Sequence, residues 1–102
     1  MTITIKGNEY NVKYTIRAMF LFEKISNKTF SLESIMDWYV LYYCIIIASN
    51  KESTMTFDDF IDACDEDTSI ATKMQEYLSK VFEQRAAFAS DDKAEDDGVK
   101  KN

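Results

Sequence analysis

The run Trp38-Tyr39-Val40-Leu41-Tyr42-Tyr43-Cys44-Ile45-Ile46-Ile47-Ala48 contains no charged side chain. As a helix it would be about 16 Å long at ~1.5 Å per residue, well short of the ~30 Å of a bilayer core. It must therefore be covered by protein. Extended back through Ser31-Leu32-Glu33-Ser34-Ile35-Met36-Asp37, it predicts a helix over about 32–49 with Ser31 as N-cap. Spacings of three and four place Leu32, Ile35, Met36, Tyr39, Tyr43, Ile46 and Ile47 on one face, the expected inner face. The opposite side is polar early (Glu33, Ser34, Asp37) and apolar late (Leu41, Cys44, Ile45, Ala48). A helix apolar all round needs neighbours on every side. This is expected to be a central helix, its late side covered by the same chain or by another protein.

With 102 residues the chain is long enough for one domain with a modest core, and 46% hydrophobic with 14% aromatic residues is the composition of a folded protein. A net charge of −6 argues against nucleic acid, whose binding needs a basic stripe to displace counterions. It suits a basic partner surface better. The first residues, Met1-Thr2-Ile3-Thr4-Ile5-Lys6, lack the pattern of a signal peptide. Cys44 and Cys64 fall at apolar helix positions and are expected to be buried free thiols in a reducing cytoplasm. There is no histidine, the commonest general base and metal ligand. With no proline and two glycines, no phosphate-cradling loop is expected either.

Residues 2–14 predict a β-hairpin. Thr2–Lys6 and Glu9–Tyr14 alternate, and Gly7-Asn8 between them predicts a tight turn pairing Ile5 with Tyr10 and Ile3 with Val12. Those four share an apolar face that must pack on helices, because an isolated hairpin is marginal in water. Helices are then predicted over about 16–25 (Thr15 cap, Asn27 closing), 57–66 and 69–89. Phe30 is placed to staple the start of the central helix, and Thr56 with Asp59 resembles a capping box. Phe57, Phe60, Ile61 and Cys64 form the stripe of the third helix. Ile70, Met74, Tyr77, Leu78, Val81 and Phe82 form that of the last. Residues 1–89 thus form the domain, with 90–102 expected to be a disordered acidic tail.

The segment 58–67 carries six acids and no base. A calcium loop starting at Asp65 would use Asp67, Ser69 and Glu76, but Ile70 stands where the sharp turn wants glycine. The simpler expectation is that Asp65 and Asp67 cap the last helix, which leaves the acids free to face a basic partner. Asp58 with Asp62, or Asp62 with Glu66, is a carboxylate pair only on a solvated face, with nothing to raise either pKa for acid–base work. Trp38, Tyr39, Tyr42 and Tyr43 could stack bases, but no basic residue lies between Lys28 and Lys51, which favours packing instead. Trp38, Leu41 and Ile45 are the candidate protein-binding patch, with burial under the third and last helices as the alternative. Asp58, Asp62 and Phe88 are further candidate partner contacts. If Leu41 is interface, Leu41→Asp should abolish binding and leave the fold intact.

The order of a hairpin ending in Lys13-Tyr14-Thr15-Ile16-Arg17-Ala18-Met19-Phe20-Leu21-Phe22-Glu23, an aromatic central helix, Met55-Thr56-Phe57-Asp58-Asp59-Phe60-Ile61-Asp62-Ala63-Cys64-Asp65-Glu66-Asp67 and a long final helix resembles one family. It is similar to the tail assembly chaperones of long-tailed phages and prophages, particularly small acidic examples from gut bacteria. The resemblance covers about residues 1–89 and rests on pattern, size and acidity. It implies a non-enzymatic factor of the bacterial host cytoplasm, absent from the mature virion. Such a factor binds and solubilises the tape measure protein and helps recruit tail-tube protein, with no cofactor, no metal, no nucleic acid and no membrane. Self-association would suit a protein that coats a long filament. The N-terminal hairpin departs from the helical bundle associated with the family.

The expected fold is therefore α+β and mainly helical, with a two-stranded hairpin packed on about four helices. The expected function is that of the phage chaperone, acting through protein–protein contacts. An acidic inhibitor or antitoxin-like module and a small virion structural subunit are the alternatives.

Overall fold

The structure, a computed structural model, describes residues 1–96, with side chains through Arg85. Strands β1 (Thr2–Ile5) and β2 (Asn8–Asn11) form an antiparallel hairpin. Four helices follow: α1 (Ile16–Ser26), α2 (Ile35–Ser49), α3 (Phe57–Glu66) and α4 (Ser69–Asp96). The fold is mainly helical α+β, as the sequence leads one to expect. The helix α2 lies at its centre, packed on α1, α3, α4 and β2.

The hairpin turns one residue earlier than expected. Lys6 (φ 51°) and Gly7 (φ 82°) occupy the two positive-φ positions, so Ile5 faces Asn8 and Ile3 faces Tyr10. Glycine thereby takes the second place of the turn, as in the favoured Asn-Gly order. The register slides by two residues from the Gly7-Asn8 arrangement. An even slide leaves every side chain on its original face. Ile3, Ile5 and Val12 are accordingly still buried, and Tyr10 packs at the edge of the core.

The start of α2 also differs from expectation. Its N-cap is Ser34, not Ser31, and residues 31–34 stay outside the helix. A serine at 31 would have had only Ser34 three residues on, whereas Ser34 has Asp37, whose carboxylate can reciprocate. Ser34 Oγ accepts from the Asp37 N–H at 3.2 Å, and Asp37 Oδ2 accepts from the Ser34 N–H at 3.1 Å. The same oxygen accepts from Glu33 N–H at 2.8 Å and Lys28 Nζ at 2.7 Å. One buried carboxylate thus gathers the whole α1–α2 connection. The Lys28 ammonium, followed by the Glu33 amide, holds its pKa down to about 2. Phe30 packs edge-on against Phe22 of α1 at 5.0 Å, fixing the connection from its apolar side.

Most other helix ends follow expectation, although Asp65, expected to help cap the last helix, lies within α3 and leaves that role to Asp67. Thr15 caps α1, and Asn27 closes it in the left-handed conformation. Thr56 and Asp59 form the capping box of α3. Asp67 Oδ1 accepts from the N–H and hydroxyl of Ser69 at the start of α4, at 3.0 and 2.7 Å. Ile70, Met74 and Leu78 enter the core from α4, flanked by Tyr77, Val81 and Phe82. This helix runs on to Asp96, past the expected end at 89 and into the stretch expected to be a disordered tail. Extending an existing helix adds one hydrogen bond per residue fixed, and no glycine or proline interrupts before Gly98. Residues 97–102 lie outside the described part.

Two side chains at the end of α2, those of Ser49 and its C-cap Asn50, close the outer edge of β2. Asn50 Oδ1 accepts from Asn11 N–H at 3.1 Å while its Nδ2 donates to Asn11 O at 2.8 Å, as a paired strand would. Ser49 Oγ accepts from Lys13 N–H at 3.1 Å. An exposed edge is a template for unwanted pairing, and here the end of α2 blunts it. On the other flank, Tyr77 Oη accepts from Tyr14 N–H at 2.9 Å, tying the hairpin exit to α4.

Two outcomes are expected. Asn50→Ala should lower the unfolding free energy by about 1–2 kcal/mol in urea titrations, because it removes both edge bonds. Asp37, Asp59 and Asp67 all have folded-state pKa values below the ordinary 3.8. Their contribution is complete above that pH and is lost as pH falls through each folded-state pKa, which for Asp37 is about 2. Asp37→Asn should be less stable than the parent at pH 7, with the gap closing over that acid window. A pH-independent gap would exclude the carboxylate as the acid-sensitive clasp.

Candidate functional site

The expected patch of Trp38, Leu41 and Ile45 does not form. Leu41 and Ile45 are 0% exposed, and Trp38 is half-buried with its ring 6.4 Å from that of Tyr42. The late side of α2 is covered within the chain, since α1, α3, α4 and β2 all pack on this one helix. Leu41→Asp would bury an unpaired charge and unfold the domain, contrary to the expectation that it would spare the fold. Tyr39 and Tyr42 pack edge-on at 5.5 Å. The Tyr43 hydroxyl donates to Met55 O at 2.7 Å while its ring meets Phe57. These aromatics are packing groups of the core, not an open stacking platform.

Asp58 and Asp62 are exposed on α3, one turn apart, with Asp65 and Glu66 exposed beyond them. Glu66 comes within 3.9 Å of Lys6 in a solvated pair of little energetic weight. Asp67 is engaged by Ser69. Among the described residues no group of three or more His, Cys, Asp or Glu side chains is gathered as a metal ion would require. The side chain of Phe88 lies outside the described residues. Cys44 and Cys64 are free and buried, and burial pushes their pKa values up to about 12 and about 11. At neutral pH both are thiols, poorly suited to nucleophilic work.

The apolar surface that does face solvent is elsewhere. On α1, Ile16 is 64% and Phe20 68% exposed, one helical turn apart. On the first turn of α2, Ile35 is 78% and Met36 66% exposed, although both were expected on the inner face. Asp37 in the same turn is buried against the α1–α2 connection, so only that side of the turn is covered, and Ile35 and Met36 are left in water. Ala18 and Phe22 anchor α1 to the core, which turns Ile16 and Phe20 outward. Arg17 and Lys24 border the same outward face and line a shallow groove of about 390 Å³ with Ile16, Phe20 and Leu21. The sequence does hold a signal for this. Arg17 and Lys24 mark the solvent side of α1, and on a helical wheel Phe20 falls between Ile16 and those two cations.

No helix among the described residues is long and apolar enough to cross a membrane. Comparison with protein-family models, with curated proteins and with solved structures gives no match for this chain.

The division between core and surface is directly testable. Leu41→Asp should abolish the cooperative unfolding transition, whereas Phe20→Asp should keep the parent's circular dichroism spectrum and shift stability by no more than about 0.5 kcal/mol. A folded Leu41→Asp protein would return this residue to the list of partner contacts.

Proposed function

We propose that this protein is a tail assembly chaperone of a long-tailed phage or prophage. It binds and solubilises the tape measure protein and helps recruit tail-tube protein through protein–protein contacts alone. It acts in the bacterial host cytoplasm and is left out of the finished virion. The resemblance in element order, size and acidity supplies the family. The observation that carries a binding role is the outward-facing apolar pair Ile16 and Phe20 on α1, with Ile35 and Met36 exposed on α2. Two large apolar side chains one helical turn apart and two-thirds exposed support reading this face of α1 as a surface that another molecule covers.

An aggregation-prone helical client offers apolar stripes that need cover until assembly. A rigid helix presenting Ile16 and Phe20 provides it without a cofactor. The net charge of −6 keeps the loaded complex dispersed by mutual repulsion. The exposed acids of α3, Asp58 and Asp62 among them, leave an acidic inhibitor of a basic enzyme as the alternative.

The test is co-expression with the very long, helix-rich protein encoded downstream, scored by its soluble fraction and by co-purification. The chaperone should bring the long protein into the soluble fraction at a many-to-one ratio, and Phe20→Asp should lose this while staying folded. An insoluble client, with this protein alone in the eluate, would overturn the proposal and direct attention to basic enzymes.

A further inference from the structure

The α1 groove also carries information about the charge of what it binds. Ile16 and Phe20 form its exposed apolar ridge, and Arg17 and Lys24 flank that ridge on the side toward Leu21. Among the described residues neither cation is in an ion pair; the two salt bridges present use Lys6 and Lys28. Glu23, the acid on the opposite border, already accepts the Phe30 N–H at 2.8 Å. A chain of net charge −6 thus sets two cations, unpaired among the described residues, beside the exposed Ile16 and Phe20 of α1. Its exposed acids of α3 sit on a different helix, one packed against α2 and α4.

From this juxtaposition we infer that the α1 groove docks an amphipathic helix whose apolar ridge is flanked by carboxylates. This rests on the reading of α1 as the protein-binding face, and it specifies the partner's chemistry. Ile16 and Phe20 receive the ridge, in the manner of helix-in-groove recognition. Arg17 and Lys24 pair with the flanking acids. The exposed acids of α3 repel such a helix, whereas Arg17 and Lys24 attract it to α1. A basic helix would be drawn instead to Asp58 and Asp62 on α3.

Two synthetic helical peptides with the same leucine ridge, one flanked by glutamates and one by lysines, discriminate these outcomes. Each is titrated against the full chain, with binding followed by fluorescence anisotropy and located by amide chemical shifts. The glutamate peptide should bind at least roughly fivefold tighter at low salt, from two exposed charge pairs. It should shift residues 16–24, and its advantage should shrink as salt rises. Arg17→Glu with Lys24→Glu should reverse the preference, and Phe20→Asp should abolish binding of the glutamate peptide. Tighter binding of the lysine peptide, shifts confined to α3, or no binding of either peptide would overturn the inference. So would concentration-dependent self-association in sedimentation that Phe20→Asp removes, since a second copy would then cover the groove. If the glutamate peptide binds as described but the tape measure protein stays insoluble on co-expression, the groove's chemistry stands and the chaperone assignment falls.

Discussion

Everything in this fold depends on covering one helix. From Val40 to Ala48, α2 presents apolar or aromatic side chains in every direction, and Leu41, Cys44, Ile45 and Ile46 are completely enclosed. No single neighbour can do that. The chain sends β2 and α1 from its N-terminal side and α3 and α4 from its C-terminal side. Each enclosed leucine or isoleucine is worth about 1.5–3 kcal/mol relative to leaving it in water, which makes covering this helix a dominant demand on the fold. The hairpin, too small to persist alone, is ordered because Ile3, Ile5 and Val12 complete the same core.

Polar side chains make the junctions between these layers. Asp37 gathers Lys28 and two backbone amides where α1 gives way to α2. Asn50 and Ser49 meet the edge of β2 where α2 ends. Tyr77 reaches the hairpin exit from α4. Each meets backbone groups that no strand or helix satisfies, in places where apolar contact alone would leave the elements free to slide. The core explains why the elements come together, and these contacts explain the register in which they do so.

The surface divides by charge. Acids dominate α3, while on α1 the border of the groove is cationic around two exposed apolar residues. Both features follow from α2 being filled entirely from within. With its late side already covered, the central helix leaves only Ile35 and Met36 of its first turn exposed, and the rest of the apolar surface lies on the elements that cover it. Helix α1 has one side packed on α2 and the other exposed, which leaves room on it for the proposed docking.

Much of this was legible in the residues themselves. Apolar periodicity located the hairpin and the four helices, and Thr15, Asn27, Thr56, Asp59 and Asp67 announced helix ends because capping is a local interaction between residues two to four apart. The even-numbered slide of the hairpin could change its register without changing which side chains are buried. Two assignments were beyond sequence alone. The inner face of α2 was misplaced, because a helix apolar all round has no pattern to say where its neighbours stop; hence Leu41 and Ile45 are core while Ile35 and Met36 are exposed. The outward turn of Ile16 and Phe20, hinted at by Arg17 and Lys24 beside them, was fixed only when Ala18 and Phe22 were seated in the core, because the apolar middle of α1 leaves no clean polar side. Local propensity and capping chemistry act along the chain and can be read from it. Which of several apolar faces meets water is decided by packing between distant segments, and only the tertiary structure contains that.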